Sequence, residues 1–163
     1  MNENNFRRKL AAGKWRQAFT LIELMVVIGI IGILTTITVA AVNPVRQFAK
    51  ARDAQRETDL ISILSAVYQY SSEHSGAIPD TDGNSATSNF PTTLKCIGTS
   101  GSCFNLGGAG DTGETIVPVY MAAMPKDPKT GTDSDTGYKI YVDTNNRLVA
   151  SASGETKTIT VTR

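Results

Sequence analysis

From Leu24 to Val42 the chain runs for 19 residues without a charged side chain, and the residue directly before that run is a glutamate, Glu23. As a helix rising 1.5 Å per residue, such a run spans about 28 Å, close to the roughly 30 Å hydrocarbon thickness of a bilayer. It therefore reads as a transmembrane helix, and everything else in the chain has to be arranged around it. A charge set into the end of a span costs several kcal/mol unless it meets a partner, which makes Glu23 a functional candidate. The partner its position suggests is a new amino terminus, created by cutting the chain just before Phe19.

The net charge of +1 hides an asymmetry. Residues 1–18 carry Arg7, Arg8, Lys9, Lys14 and Arg16 against Glu3, about +4, whereas from Phe19 onward 11 Lys and Arg stand against 14 Asp and Glu, about −3. A basic head before an apolar run follows the positive-inside pattern, placing residues 1–18 in the cytoplasm and the remainder outside. The remainder is mildly acidic and has no basic stripe, so nucleic acid is not expected as a ligand. At 163 residues there is room for one modest folded domain plus a membrane element.

Three readings of the apolar run compete. A conventional signal peptide has a shorter core and is cut after it at a small residue, but Asn43-Pro44 is a poor cleavage context. A plain single-pass anchor fits the length and leaves Glu23 unexplained. A cut before the run keeps the anchor and frees a Phe19 amine beside Glu23.

The order Phe19-Thr20-Leu21-Ile22-Glu23-Leu24, after a basic leader and before Met25-Val26-Val27-Ile28-Gly29-Ile30-Ile31-Gly32-Ile33-Leu34, resembles the type IV prepilin signature of bacterial pilins and of the pseudopilins of type II secretion. The resemblance covers about 25 residues. It implies cleavage between Ala18 and Phe19 by a membrane prepilin peptidase, and N-methylation of the Phe19 amine. It also implies attraction between Glu23 and the Phe19 amine of a neighbouring subunit during assembly. The implied partners are the prepilin peptidase and N-methyltransferase, other copies of the chain and other pilins in a helical filament, and an inner-membrane assembly platform. The family usually has Gly before the cut, where this chain has Ala18; a small side chain is what the cleft requires, so cleavage is expected to survive.

The expected fold is α+β and pilin-like, a long N-terminal helix packed against a small C-terminal antiparallel sheet. Residues 1–18 are the leader, 19–43 the transmembrane and assembly helix, 44–74 the amphipathic helix of the head, and 75–163 the head itself. Leu60, Ile63, Leu64 and Val67 follow helical spacing, with Ile61 and Tyr68 widening the stripe. The preceding segment, Arg46 to Asp59, alternates charges with Ala49, Ala51 and Ala54 and reads as a solvated helix face. Gly29, Gly32 and Pro44 mark where the long helix weakens or kinks. Residues 75–114 read as a long connection, and Tyr138–Val142, Arg147–Ala152 and Lys157–Thr162 as a three-stranded meander.

Four further features bear on function. Cys96 and Cys103 read as a small disulfide loop if the head is exported, with two free thiols as the alternative. Pro125-Lys126-Asp127-Pro128 followed by Gly137-Tyr138-Lys139-Ile140-Tyr141 resembles an element of major pseudopilins, in which the next loop often binds calcium; Asp127, Asp133 and Asp135 are the matching candidates, and a solvated acidic loop is favoured over a calcium site. The tract Pro79-Asp80-Thr81-Asp82-Gly83-Asn84 reads as a turn, since it lacks the spacing of a calcium loop. His74, the sole histidine, is placed to meet the last carbonyls of the helix. No nucleophile triad, phosphate loop or metal cluster is legible, so no enzymatic activity, cofactor or metal is expected. A membrane-anchored binding domain with an unprocessed helix is the reading of another class.

Overall fold

The computed structural model describes residues 18–82 and 88–163. The leader expected over residues 1–18, Ala18 excepted, lies outside the described residues, as do Gly83 and Asn84. The chain divides at Asn43 into two units, Met1–Asn43 and Pro44–Arg163.

The first unit contains helix α1, Leu21–Val42, none of whose residues is buried. Its apolar side chains face outward all round, as a lipid-facing helix requires. Its threonines are accommodated locally: the hydroxyls of Thr35, Thr36 and Thr38 donate to the carbonyls of Ile31, Gly32 and Leu34 at 2.7–2.9 Å. Gly29 and Gly32 lie inside the unbroken helix with open space where a Cβ would stand. The helix ends at Asn43, whose φ of 45° is left-handed. Pro44 explains the position of that end, because the residue before a proline is disfavoured in the α region and Asn tolerates the left-handed one. The continuous helix expected from the sequence is thus two helices, with α2 beginning at Pro44.

In the second unit α2 runs for 30 residues, Pro44–Glu73, and its buried face is Asp53, Arg56, Leu60, Ile63, Leu64, Ala66, Val67 and Tyr70. At 100° per residue these positions share one side of the helix, whereas Ile61 and Tyr68 fall on its flank and are 40% and 37% exposed. The stripe therefore widens toward Ala66 and Tyr70, not toward Ile61 and Tyr68. More consequentially, it continues into the segment read as a solvated face. Asp53 and Arg56 stand in register with Leu60 and are 3% and 2% exposed.

The strands are β1 (Lys95–Cys96), β2 (Gly110–Asp111), β3 (Glu114–Thr115), β4 (Tyr138–Val142), β5 (Leu148–Ser153) and β6 (Thr158–Thr162). An antiparallel sheet has the order β1-β4-β5-β6, with Ile140 opposite Ala150 and Ala152 opposite Ile159, while β2 and β3 form a separate hairpin. The expected meander is present as β4–β6, and β1 adds a two-residue edge to it. Tyr138, Ile140, Ala150 and Ile159 meet Leu60, Ile63, Leu64 and Val67 in one core, closed by Ile97, Phe104 and Leu106 from the long connection and by Ile116 just beyond it. Fully burying an aliphatic or aromatic side chain of this size is worth about 1.5–3 kcal/mol. This core is what holds the helix on the sheet.

Candidate functional site

The start of α1 is built as a reciprocal cap. Thr20 is the N-cap, with extended backbone at φ −76°, ψ 151°. Its hydroxyl accepts from the Glu23 amide at 3.2 Å, while the Thr20 amide donates to Glu23 Oε2 at 3.4 Å. The Thr20 hydroxyl also lies 3.4 Å from the same Oε2. A Thr with Glu three residues on, ahead of an apolar run, is the sequence mark of this box, a signal the sequence reading passed over. Ala18, Phe19, Thr20 and Glu23 line a single open cavity of about 480 Å³, and Phe19 is 84% exposed. The bond expected to be cut therefore lies outside the helix on accessible backbone, the context in which proteolysis concentrates. The acid expected to receive the new amine lines the same cavity.

The charges of α2 are organised quite differently. Arg56 is clamped to Asp127, with Nε donating to Oδ2 at 2.6 Å and Nη2 to Oδ1 at 3.1 Å. Its Nη1 donates to Asp53 at 2.8 Å and approaches Glu155 at 3.4 Å. Asp53 also accepts from the amides of Glu155 and Thr156 at 2.8 Å and from the Thr156 hydroxyl at 2.5 Å, which ties the β5–β6 turn to the helix. Glu155 is held by Arg52 at 2.5 Å and Lys129 at 3.2 Å. Nearby, the Tyr138 hydroxyl donates to Asp59 at 2.6 Å. Four charged helix positions are thus tied to the loops and strands of the head.

Titration follows from these contacts. Hydrogen bonds from the Arg56 guanidinium outweigh burial and hold the Asp127 carboxyl well below the usual carboxylate range. Burial pushes Asp53 upward, but the Thr156 hydroxyl, the amides of Glu155 and Thr156, and Arg56 together bring it well below that range. Arg52 above all lowers Glu155 to about 2. Burial, then the Asp59 carboxylate, pushes the Tyr138 phenol up.

This arrangement corrects the reading of Asp127 as part of a solvated acidic loop: it is 7% exposed and committed to Arg56. Its Oδ1 also accepts from the amides of Lys129 and Thr130 at 2.8 and 3.0 Å, shaping the turn after Pro128. Asp133 pairs with Lys126 at 2.7 Å, and Asp135 accepts from the Gly137 amide at 2.9 Å. The three carboxylates do not converge on one point. Among the described residues the one convergent trio of metal-capable side chains is Cys96, Cys103 and Asp135, and there the two sulfurs are bonded to each other. The disulfide loop is laced to the segment carrying Asp133 through Thr99 and Ser100, whose amides donate to the carbonyls of Asp133 and Ser134. His74 does meet a late helix carbonyl, with Nδ1 2.9 Å from the Tyr70 oxygen. Its Nε2 faces Asp111 and Glu114, which the sequence did not bring near it.

An exposed apolar helix long enough to cross a membrane, opened by an acid-bearing cap, precedes an α+β unit. Residues 16–39 match the family described as the prokaryotic N-terminal methylation motif, the signature of the type IV pilin and pseudopilin family. The matched segment covers the Ala18–Phe19 bond, Glu23 and most of α1. No curated protein and no solved structure matches the chain.

Proposed function

We propose that the chain is a structural, non-enzymatic subunit of a type IV pilus-like filament. It enters the inner membrane with its amino terminus in the cytoplasm, is cut between Ala18 and Phe19 by a prepilin peptidase, and is N-methylated on Phe19. The processed chain then leaves the bilayer for a periplasmic or extracellular filament assembled on an inner-membrane platform. The observation that carries this reading is the Phe19–Glu23 end of α1, an exposed scissile bond and an acid on one cavity inside the matched methylation motif. In the filament the Glu23 carboxylate of one copy takes the Phe19 amine of another, so each subunit entering the apolar core brings its own neutralising charge.

Intact-mass measurement on protein extracted from native membranes tests the processing step. A species beginning at methylated Phe19 is expected, and an uncut chain beginning at Met1 would instead describe a membrane-anchored binding domain. Glu23→Ala tests assembly separately: the chain should insert, be cut and fold its head, yet form no filaments. Normal filaments from that variant refute the amine pairing.

A second reading, a major pseudopilin of type II secretion, is favoured by one element, Pro125-Lys126-Asp127-Pro128 with Gly137-Tyr138. In this chain that element holds Arg56 of the helix through Asp127. Loss of protein secretion, with surface filaments unchanged, on deleting the chain would select this reading.

A further inference from the structure

The residues of β6, Thr158-Ile159-Thr160-Val161-Thr162, are all β-branched, and none of them is charged. The strand is the last in the sheet order and pairs with β5 on one side only. Just past its end, Leu148 and Arg163 exchange both backbone bonds at 2.9 Å, which fixes the alternation along the strand. Ile159 and Val161 therefore aim their N–H and C=O groups at β5, while Thr158, Thr160 and Thr162 aim theirs outward. Those outward groups meet no partner among the described residues, and all three threonines are exposed. An open edge is a template for another strand, and folded proteins usually blunt it with a charge, a proline or a bulge. No charge or proline stands between Lys157 and Arg163.

The opposite edge of the sheet is closed. The Cys96 carbonyl accepts from the Phe104 amide at 2.7 Å, the Gly98 amide donates to the Phe104 carbonyl at 3.0 Å, and the disulfide ties that returning loop to β1. The edge of this sheet that a second copy leaves free is thus its own β6. We propose that the head associates with a second copy of this chain by antiparallel pairing of β6 with β6, about a two-fold axis at Thr160. In that register Thr160 pairs with its counterpart and Thr158 with the partner's Thr162, each pair exchanging two backbone bonds. The exposed face then carries Thr–Thr pairs, and on the helix side the half-buried Val161 is covered by the partner's Ile159. The like charges of Lys157 and the partner's Arg163 come opposite each other only beyond the strand ends, and Lys157 has Glu57 at 3.6 Å. A pair of such short strands is a small contact, weak in dilute solution and favoured where copies are held in one membrane. A two-fold contact closes on itself, so it joins copies side by side, and it stands whether or not the chain is cut after Ala18.

Amide exchange, read by NMR on the full chain in detergent micelles at increasing protein-to-detergent ratio, tests the pairing. With one chain per micelle, the Ile159 and Val161 amides should be protected and those of Thr158, Thr160 and Thr162 should exchange freely. As the ratio rises, the three threonine amides should slow at least tenfold. Thr160→Pro removes only an outward N–H, so it should keep the thermal midpoint and abolish the added protection at Thr158 and Thr162. Thr160→Lys sets two like charges across the axis and should weaken the association at least tenfold. Threonine amides that exchange freely at every ratio overturn the proposal, as do amides protected even with one chain per micelle. Protection that rises equally in Thr160→Lys also overturns it. A dimer that forms while the three amides still exchange freely assigns the contact to the span and likewise overturns it.

Discussion

Replacing Arg56 with methionine keeps the volume of the side chain and removes its charge, so it isolates what the guanidinium does for the head. The clamp on Asp127 is lost, and Asp127 Oδ2, whose hydrogen-bond donor is Arg56 Nε at 2.6 Å, is stranded. Oδ1 keeps the Lys129 and Thr130 amides, and Asp53 keeps the amides of Glu155 and Thr156 and the Thr156 hydroxyl. Removing one partner of a buried pair costs about 3–5 kcal/mol, and the donors that remain place this case near the lower end, about 3 kcal/mol. For a head of this size that is a fall of about 10 °C in Tm. Arg56→Lys supplies a point charge without the two-pronged grip and should fall between the two. The assay is thermal unfolding of the full chain in micelles, followed by the near-ultraviolet circular dichroism of the buried tyrosines. The charge argument also predicts a pH signature. In the variant the stranded carboxylate takes up a proton more readily than in the native head, so the stability deficit shrinks as pH falls from 7 toward 4. A Tm loss of under about 2 °C, or a deficit unchanged across that range, would show that Arg56 matters only as filler.

The remaining predictions rest on the same unit. Asp53 and Asp127 are held well below 3.8, and Glu155 is lowered from 4.5 to about 2, so the stability they contribute is present above about pH 4.5 and is lost progressively as pH falls toward 2 and below. Acid titration of the native head should show this limb, and Arg56→Met should make it shallower. The Cys96–Cys103 bond closes a short loop, so Cys96→Ser/Cys103→Ser should cost about 2 kcal/mol in the chain-entropy account. Mass spectrometry of alkylated, unreduced protein should find both sulfurs protected; labelling of either refutes the bond.

What could be read in advance followed the length of each periodic signal. The span, the core stripe around Leu64 and the strands β4–β6 each repeat over enough residues for apolar spacing to show. β1 is two residues long and exists because Lys95 and Cys96 pair with Ile140 and Lys139, a relation between distant segments that no local pattern carries. The error at Asp53 and Arg56 is more instructive. Their spacing from Leu60 puts them on the buried face, whereas their charge alone points to solvent. Charge forbids burial only when it is unpaired, and the partners here come from Asp127 and Glu155, 71 and 99 residues away from Arg56. Glu23 and Thr20 show the reverse case: both halves of the cap lie within four residues, a wholly local pattern, yet only the charge of Glu23 and not its cap enters the expectation.

The two kinds of acid in this chain also explain each other's roles. Asp127 and Asp53 are buried, and each accepts several hydrogen bonds, most of them at 3.0 Å or less, with a guanidinium beside it. Their demand for positive charge is met within one chain, and they serve the fold. Glu23 stands at the mouth of a span, where the surroundings are at least as poor a solvent for charge. Its oxygen has two contacts at 3.4 Å, both from Thr20, and none of the ion pairs among the described residues includes it. Contacts that long are weak and readily exchanged. An acid left in that condition will take a cation from another molecule when one is offered, and the proposed cut after Ala18 would make one four residues away on every copy. Exchanging Glu23 for Gln separates the cap from the charge, because the amide oxygen can still accept from the Thr20 backbone while carrying no negative charge to pair with an ammonium group. Helix α1 should keep its start in that variant while filaments fail; filaments that persist would mean the cap, and not the charge, is what assembly uses.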